Sequence, residues 1–178
     1  MSRVLRLVVA LAVVPPVALA DASWLMVTPY PRWSGRSLEL RTETFRAIRS
    51  QQGWDDLWRL AALNPSPQAD QSFPPPDVDF AKTTILVAAL GTRPSGGYSV
   101  IIQSAFDDGA VIHVYVLEVR PTGPDCMAVS AITHPVSLAL IPRSDRQVRF
   151  EISTADLDCK ANRSVLADRS SNNRWRGP

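Results

Sequence analysis

The chain has 178 residues, with 19 Lys and Arg against 17 Asp and Glu and a formal charge of +2. So even a balance excludes a strongly basic, electrostatically driven nucleic-acid binder, and no nucleic-acid partner is expected. With only 2 His and 2 Cys, too few N and S ligands are left for a zinc centre once the cysteines pair, and neither a metal nor a cofactor is expected.

Residues 1–20 read as a secretory signal peptide. Arg3 and Arg6 open it, Leu7 to Val14 form its apolar run, and Ala18-Leu19-Ala20 fits the small-x-small rule for cleavage after Ala20. The run is shorter than the ~20 apolar residues that span a bilayer. No second long run follows, so the expectation is a periplasmic or secreted protein without stable membrane insertion. Losing Arg3 and Arg6 makes the basic count equal to the 17 acidic residues.

Residues 21–41 hold an apolar patch, Trp24 to Val27, interrupted by Pro29, Pro31 and Gly35, and read as an irregular arm or lead-in strand. One domain is expected over 42–159. Thr42 to Arg49 suits a sheet edge. Ser50 is an N-cap, behind which Trp54, Leu57, Trp58, Ala61 and Ala62 recur at helical spacing; a helix over 51–63 should bury both tryptophans. Residues 64–79, with Pro65, Pro67, Pro74, Pro75 and Pro76, read as a surface loop. The acids Asp77, Asp79, Asp107 and Asp108 are placed in turns.

From Thr83 the pattern is β. Strands are expected at Ile85–Leu90, Tyr98–Ile102, Val111–Val119, Val136–Ile141 and Gln147–Ser153, with a hairpin turn over Ala105–Gly109. Val111–Val119 is apolar on both faces and so should be central. Pro121, Gly123 and Pro124 read as a loop. Short strands joined by turns predict a mainly β fold. The expected form is an antiparallel β-sandwich or partly open barrel with one N-terminal amphipathic helix packed on it. Residues 160–178, with Lys160, Arg163, Arg169, Arg174 and Arg176 against Asp168, read as a disordered basic tail.

Export permits a disulfide. Cys126 and Cys159 sit among polar residues and are expected to pair rather than to form two buried thiols. The bridge would close a loop of about 33 residues and stabilise by on the order of 4 kcal/mol in the chain-entropy model. No C-x-x-C argues for thiol-redox chemistry.

The chain pivots on Gly91-Thr92-Arg93-Pro94-Ser95-Gly96-Gly97-Tyr98. Gly91 and Gly96 keep P-loop spacing, but Gly97 replaces the required Lys and Tyr98 the Ser or Thr, and a β pattern follows instead of a helix, which excludes nucleotide binding. The stretch reads as a tight connection between strands. Arg93 and Tyr98 flank the turn formed by Pro94, Ser95, Gly96 and Gly97 and are the candidate partner-binding anchors. Neither His113 nor His134 lies in a nucleophile motif, and His113 reads as a satisfied sheet histidine. No catalytic residue is assigned.

Three segments resemble the PrcB C-terminal domain family: Val78-Asp79-Phe80, then Gly91 through Val100, and Thr133-His134-Pro135-Val136 with the strand to Pro142. Val119-Arg120-Pro121-x-Gly123 and the Trp54-x-x-x-Trp58 helix add to it, and the likeness spans about residues 43–153. The family is named for a non-catalytic subunit of a bacterial surface protease complex. The resemblance therefore implies an exported accessory domain that binds or stabilises a protein partner, an envelope protease among the candidates, and is not itself an enzyme. A second resemblance, to chagasin-like cysteine-protease inhibitors, rests on Pro94-Ser95-Gly96-Gly97-Tyr98 and Arg120-Pro121. It departs from that pattern at Thr122, where an aromatic is expected, and implies protease inhibition as the alternative. The sequence sets no oligomeric state.

Overall fold

The computed structural model describes residues 22–30, 38–62, 75, 77–122, 126 and 131–158. The signal peptide, most of the Pro-rich segment, Cys159 and the basic tail lie outside the described residues.

The protein is mainly β. In chain order the elements are β1 (Ser23–Leu25), β2 (Thr28–Pro29), β3 (Thr44–Ile48), α1 (Gln51–Ala62), β4 (Thr83–Ala89), β5 (Ser99–Asp107), β6 (Val111–Thr122), β7 (Val136–Pro142) and β8 (Gln147–Asp158). They form two four-stranded sheets, β1-β5-β6-β8 and β2-β7-β4-β3, and no closed barrel. Of the two expected architectures, the sandwich is the one observed.

β4 is one of the two inner strands of the second sheet and is apolar on both faces. Leu86, Ala88 and Leu90 point into the core between the sheets, where they meet Val100, Ile102, Ile112, Val114 and Val116. Ile85, Val87 and Ala89 point the other way, onto α1. This explains the unbroken hydrophobic run: one face serves the sandwich and the other serves the helix. The helix begins where Ser50 caps it, its Oγ accepting from Gly53 N at 3.2 Å. Trp54 and Leu57 are fully buried. Trp58 meets Trp54 edge-to-face, with ring centroids 5.7 Å apart, an arrangement the ring quadrupoles favour.

Four expectations need correction. First, the sheets are not wholly antiparallel, because β8 pairs with β6 in parallel over their full twelve-residue length. Turn signals after β6 suggest hairpins, but the chain first crosses to the second sheet as β7 and then returns. Such a crossover is what parallel neighbours require. Second, Pro121 is not in a loop: β6 continues to Thr122, with Pro121 in register with Leu157. Third, Ala105 and Asp107 lie in β5 rather than in the turn, which spans only Asp108 to Ala110. A bulge between Ile102 and Ser104 leaves Gln103 outside the ladder and keeps Ala105 facing the core. Asp107 is buried and forms an ion pair with Arg146, the residue before β8. Fourth, of the two readings of the arm the irregular one gives way to the strand, and the arm contributes to both sheets: β1 pairs with β5 and β2 with β7.

His113 is a sheet-face histidine, as expected. Its Nδ1 lies 2.6 Å from Glu151 Oε1 on β8 and its Nε2 lies 3.0 Å from Asp108 Oδ2. A neutral ring would have to aim a lone pair at one carboxylate, whereas the imidazolium donates to both. The hydrogen bond to Glu151, then that to Asp108, accordingly raises the His113 pKa. Hydrogen bonds from Val111 N and Ala110 N, then from His113, hold Asp108 down to about 2. The raised pKa gives stability that is fully present below the unfolded value of about 6.5 and is lost as pH rises through the folded value. Ring resonances of His113 should therefore titrate above 6.5, and Glu151→Gln should lower that midpoint; a midpoint at or below 6.5 in the wild type would show that the imidazolium is not held.

Candidate functional site at the rim of the sandwich

The 91–98 connection lies at one end of the sandwich and is braced on three sides. Gly91 has φ 72°, and a Cβ there would lie 2.8 Å from Glu43 N and 2.9 Å from Arg41 O, so only glycine lets the two backbones meet. Thr92 N donates to Arg41 O at 3.0 Å. Arg93 and Thr133 exchange backbone hydrogen bonds of 2.8 and 3.0 Å, an isolated antiparallel bridge. The Thr133 hydroxyl donates to Ser95 O at 2.9 Å. Gly97, at φ 88°, lies against the Pro121 ring.

Beneath the connection is an ionic cluster. Glu118 is the one acidic side chain on the face of β6 that carries Ile112, Val114 and Val116, and its side chain is 7% exposed. Arg120 Nη2 donates to Glu118 Oε2 at 2.9 Å, and Arg93 Nη2 donates to Oε1 at 3.3 Å. The Arg120 hydrogen bond leads the causes that lower the Glu118 pKa, with Arg93 adding to it, and together they outweigh the burial that would raise it. In return Glu118 raises the Arg120 pKa, with smaller contributions from Asp156 and Tyr98. The Arg93 guanidinium carbon sits 5.8 Å from the Tyr98 ring centroid, in cation–π range.

The structure thus separates the sequence-selected residues. Arg93 turns inward to Glu118, its side chain only 23% exposed. Ser95, Gly96 and Tyr98 are half-buried, while Pro94 and Gly97 face outward. Sequence reasoning missed Glu118 and Ile132, and it reached Arg120 only as part of the two resemblances, without its ion pair. Glu118 carried a signal, a lone acid at an apolar parity position of a central strand. Ile132 carried none; it is 69% exposed and sits beside Thr133, so the bridge places it next to the Pro94 turn.

Among the described residues no cysteine is free. Cys126 Sγ lies 3.6 Å from Leu157 O, two positions before Cys159 in sequence. The expected partner Cys159 itself is outside the described residues. No group of three or more His, Cys, Asp or Glu among the described residues is arranged to hold a metal ion. No helix among them is long and apolar enough to cross a membrane.

These features define a class: a β-sandwich with one helix packed on its second sheet and a glycine-shaped, ion-paired rim. Residues 84–142 match the family described as PrcB C-terminal, and the chain carries a PrcB C-terminal domain there. That span runs from β4 to the end of β7. It includes the whole 91–98 connection, Glu118 and Thr133, and is narrower than the 43–153 resemblance. No curated protein and no solved structure matched the chain.

Proposed function

We propose that this is an exported, non-catalytic domain that binds a protein partner through its rim, the ledge formed by residues 92–98 and 131–133. The observation carrying this reading is the Arg93–Thr133 bridge, which fixes the exposed Ile132 beside the exposed Pro94. An exposed aliphatic side chain on a rigid backbone costs little ordering entropy when a partner covers it. His113 has both ring nitrogens engaged by carboxylates, which favours binding over general-base chemistry at that residue. A protease, or a complex containing one, is the partner class that fits the family's namesake subunit.

The inhibitor alternative needs a loop that enters an active-site cleft. Here the connection is tied down at Thr92, Arg93 and Ser95, which favours docking of the ledge over insertion of the loop. A bridge between Cys126 and Cys159 belongs to the same reading, pinning the end of β8 in an oxidising compartment.

The reading is tested by affinity capture from envelope extracts with Ile132→Asp and Tyr98→Ala. The expected result is loss of the captured protein with an unchanged melting temperature for Ile132→Asp. Undiminished capture by both variants sinks the rim as the binding surface.

A further inference from the structure

The four sheet edges are unequal. β1, β2 and β3 are edge strands of three, two and five residues, whereas β8 runs for twelve, paired with β6 on one side and with no described strand on the other. Folded proteins blunt long edges with Pro, charged side chains, a bulge or a covering segment. β8 reads Gln-Val-Arg-Phe-Glu-Ile-Ser-Thr-Ala-Asp-Leu-Asp, without Pro, Lys or Gly, and keeps one continuous register along β6. Its protection is confined to charged side chains, Arg149 and Glu151 in its first half, and an edge of this length is a template for a strand that matches those charges.

The sequence of that edge says which strand fits. Val148-Arg149-Phe150-Glu151-Ile152 is self-complementary about Phe150. Run antiparallel against itself, it sets Val148 opposite Ile152 and Arg149 opposite Glu151, each twice, with Phe150 on the axis. Residues directly opposite in an antiparallel pair have Cβ atoms about 5 Å apart, within reach of an ion pair. Arg149 is exposed, and the Glu151 side chain is 41% exposed and bonds His113 through Oε1. Ile152, 47% exposed, would be covered by the partner's Val148. Neither a parallel pairing nor a register shifted by one residue matches these charges. The geometry points to a twofold-symmetric dimer in which β8 of two copies of this chain pair antiparallel about Phe150, joining two four-stranded sheets into one of eight. The interface is isologous, so it closes at two copies and does not propagate. The pairing uses none of the ledge residues 92–98 and 131–133.

Sedimentation of the purified full chain tests this. At about 100 μM, well above a micromolar Kd, the wild type should sediment at twice the monomer mass. Arg149→Glu, which sets Glu against Glu at both contacts, should sediment as a folded monomer, and Arg149→Lys should stay dimeric. Glu151→Arg should also be monomeric, and an equimolar mixture of Arg149→Glu with Glu151→Arg should recover the dimer, because each charge then meets its opposite. A wild-type monomer at that concentration overturns the inference. So does an Arg149→Glu protein that stays dimeric, or two folded monomeric variants that do not associate on mixing. Should loss of the His113 contact prevent Glu151→Arg from folding, the Arg149→Glu and Arg149→Lys pair decides the matter alone.

Discussion

Trp54→Ala should destabilise the domain by about 3–5 kcal/mol, the range for truncating a large buried aromatic. Trp54 is fully buried between α1 and the outer face of the second sheet, with the Tyr30 ring 5.7 Å away on one side and the Trp58 ring on the other. No small movement closes the space an indole leaves, because α1 is held at its start by the Ser50 cap and along its length by Leu57 and Ala61. Thermal unfolding should show the midpoint falling by about 10 °C or more, given the few degrees per kcal/mol of a domain this size. Leu60→Ala, on the exposed side of the same helix, should change stability by about 0.5 kcal/mol or less. Equal effects at the two positions would contradict the packing of α1 described above.

Glu118→Gln should cost about 2 kcal/mol at neutral pH. The carboxylate is buried, and neutralising it leaves two guanidiniums beside an amide that can satisfy neither fully. The cost stays below that of breaking a fully buried pair because Arg120 is 48% exposed and water screens part of the loss. The sign of the pH dependence follows from the lowered Glu118 pKa. Its contribution is present above the unfolded value of about 4.3 and is lost as pH falls through the folded value. Urea unfolding of wild type and variant should therefore differ at pH 7 and converge in acid. A difference that persists undiminished when Glu118 is protonated would assign it to packing rather than to the ion pairs.

Much of this fold is legible in the sequence, for identifiable reasons. The Trp54, Leu57, Trp58 and Ala61 spacing marks the buried helical face, and Ser50 marks its start. Val111 to Val119 announces a central strand because both parities are apolar. The parallel pairing of β6 with β8 is not legible, since a turn signal tells where the chain bends but not which sheet receives it. Pro121 reads as a breaker, yet β6 accommodates it in register with Leu157.

The rim was half legible. The Gly96-Gly97 pair signals one position of positive φ, and Gly97 takes it; the positive φ of Gly91 carried no such signal. Arg93 reads as a partner-binding anchor because Arg beside a turn is common at interfaces. Its actual direction depends on Glu118, which lies 25 residues away in sequence and is invisible to any local pattern. Ile132 gains meaning only from the bridge that sets it beside Pro94. Long-range pairings of this kind account for most of what the sequence withheld, here as in the crossover to β7.

The central claim, that the rim contacts another protein, is tested most directly by a photo-crosslinking amino acid placed at position 132 in cells producing the chain. The account predicts a discrete higher-mass adduct with a different polypeptide, absent when the same group is placed at position 60 on the exposed face of α1. No adduct from position 132, or the same adduct from both positions, would contradict it.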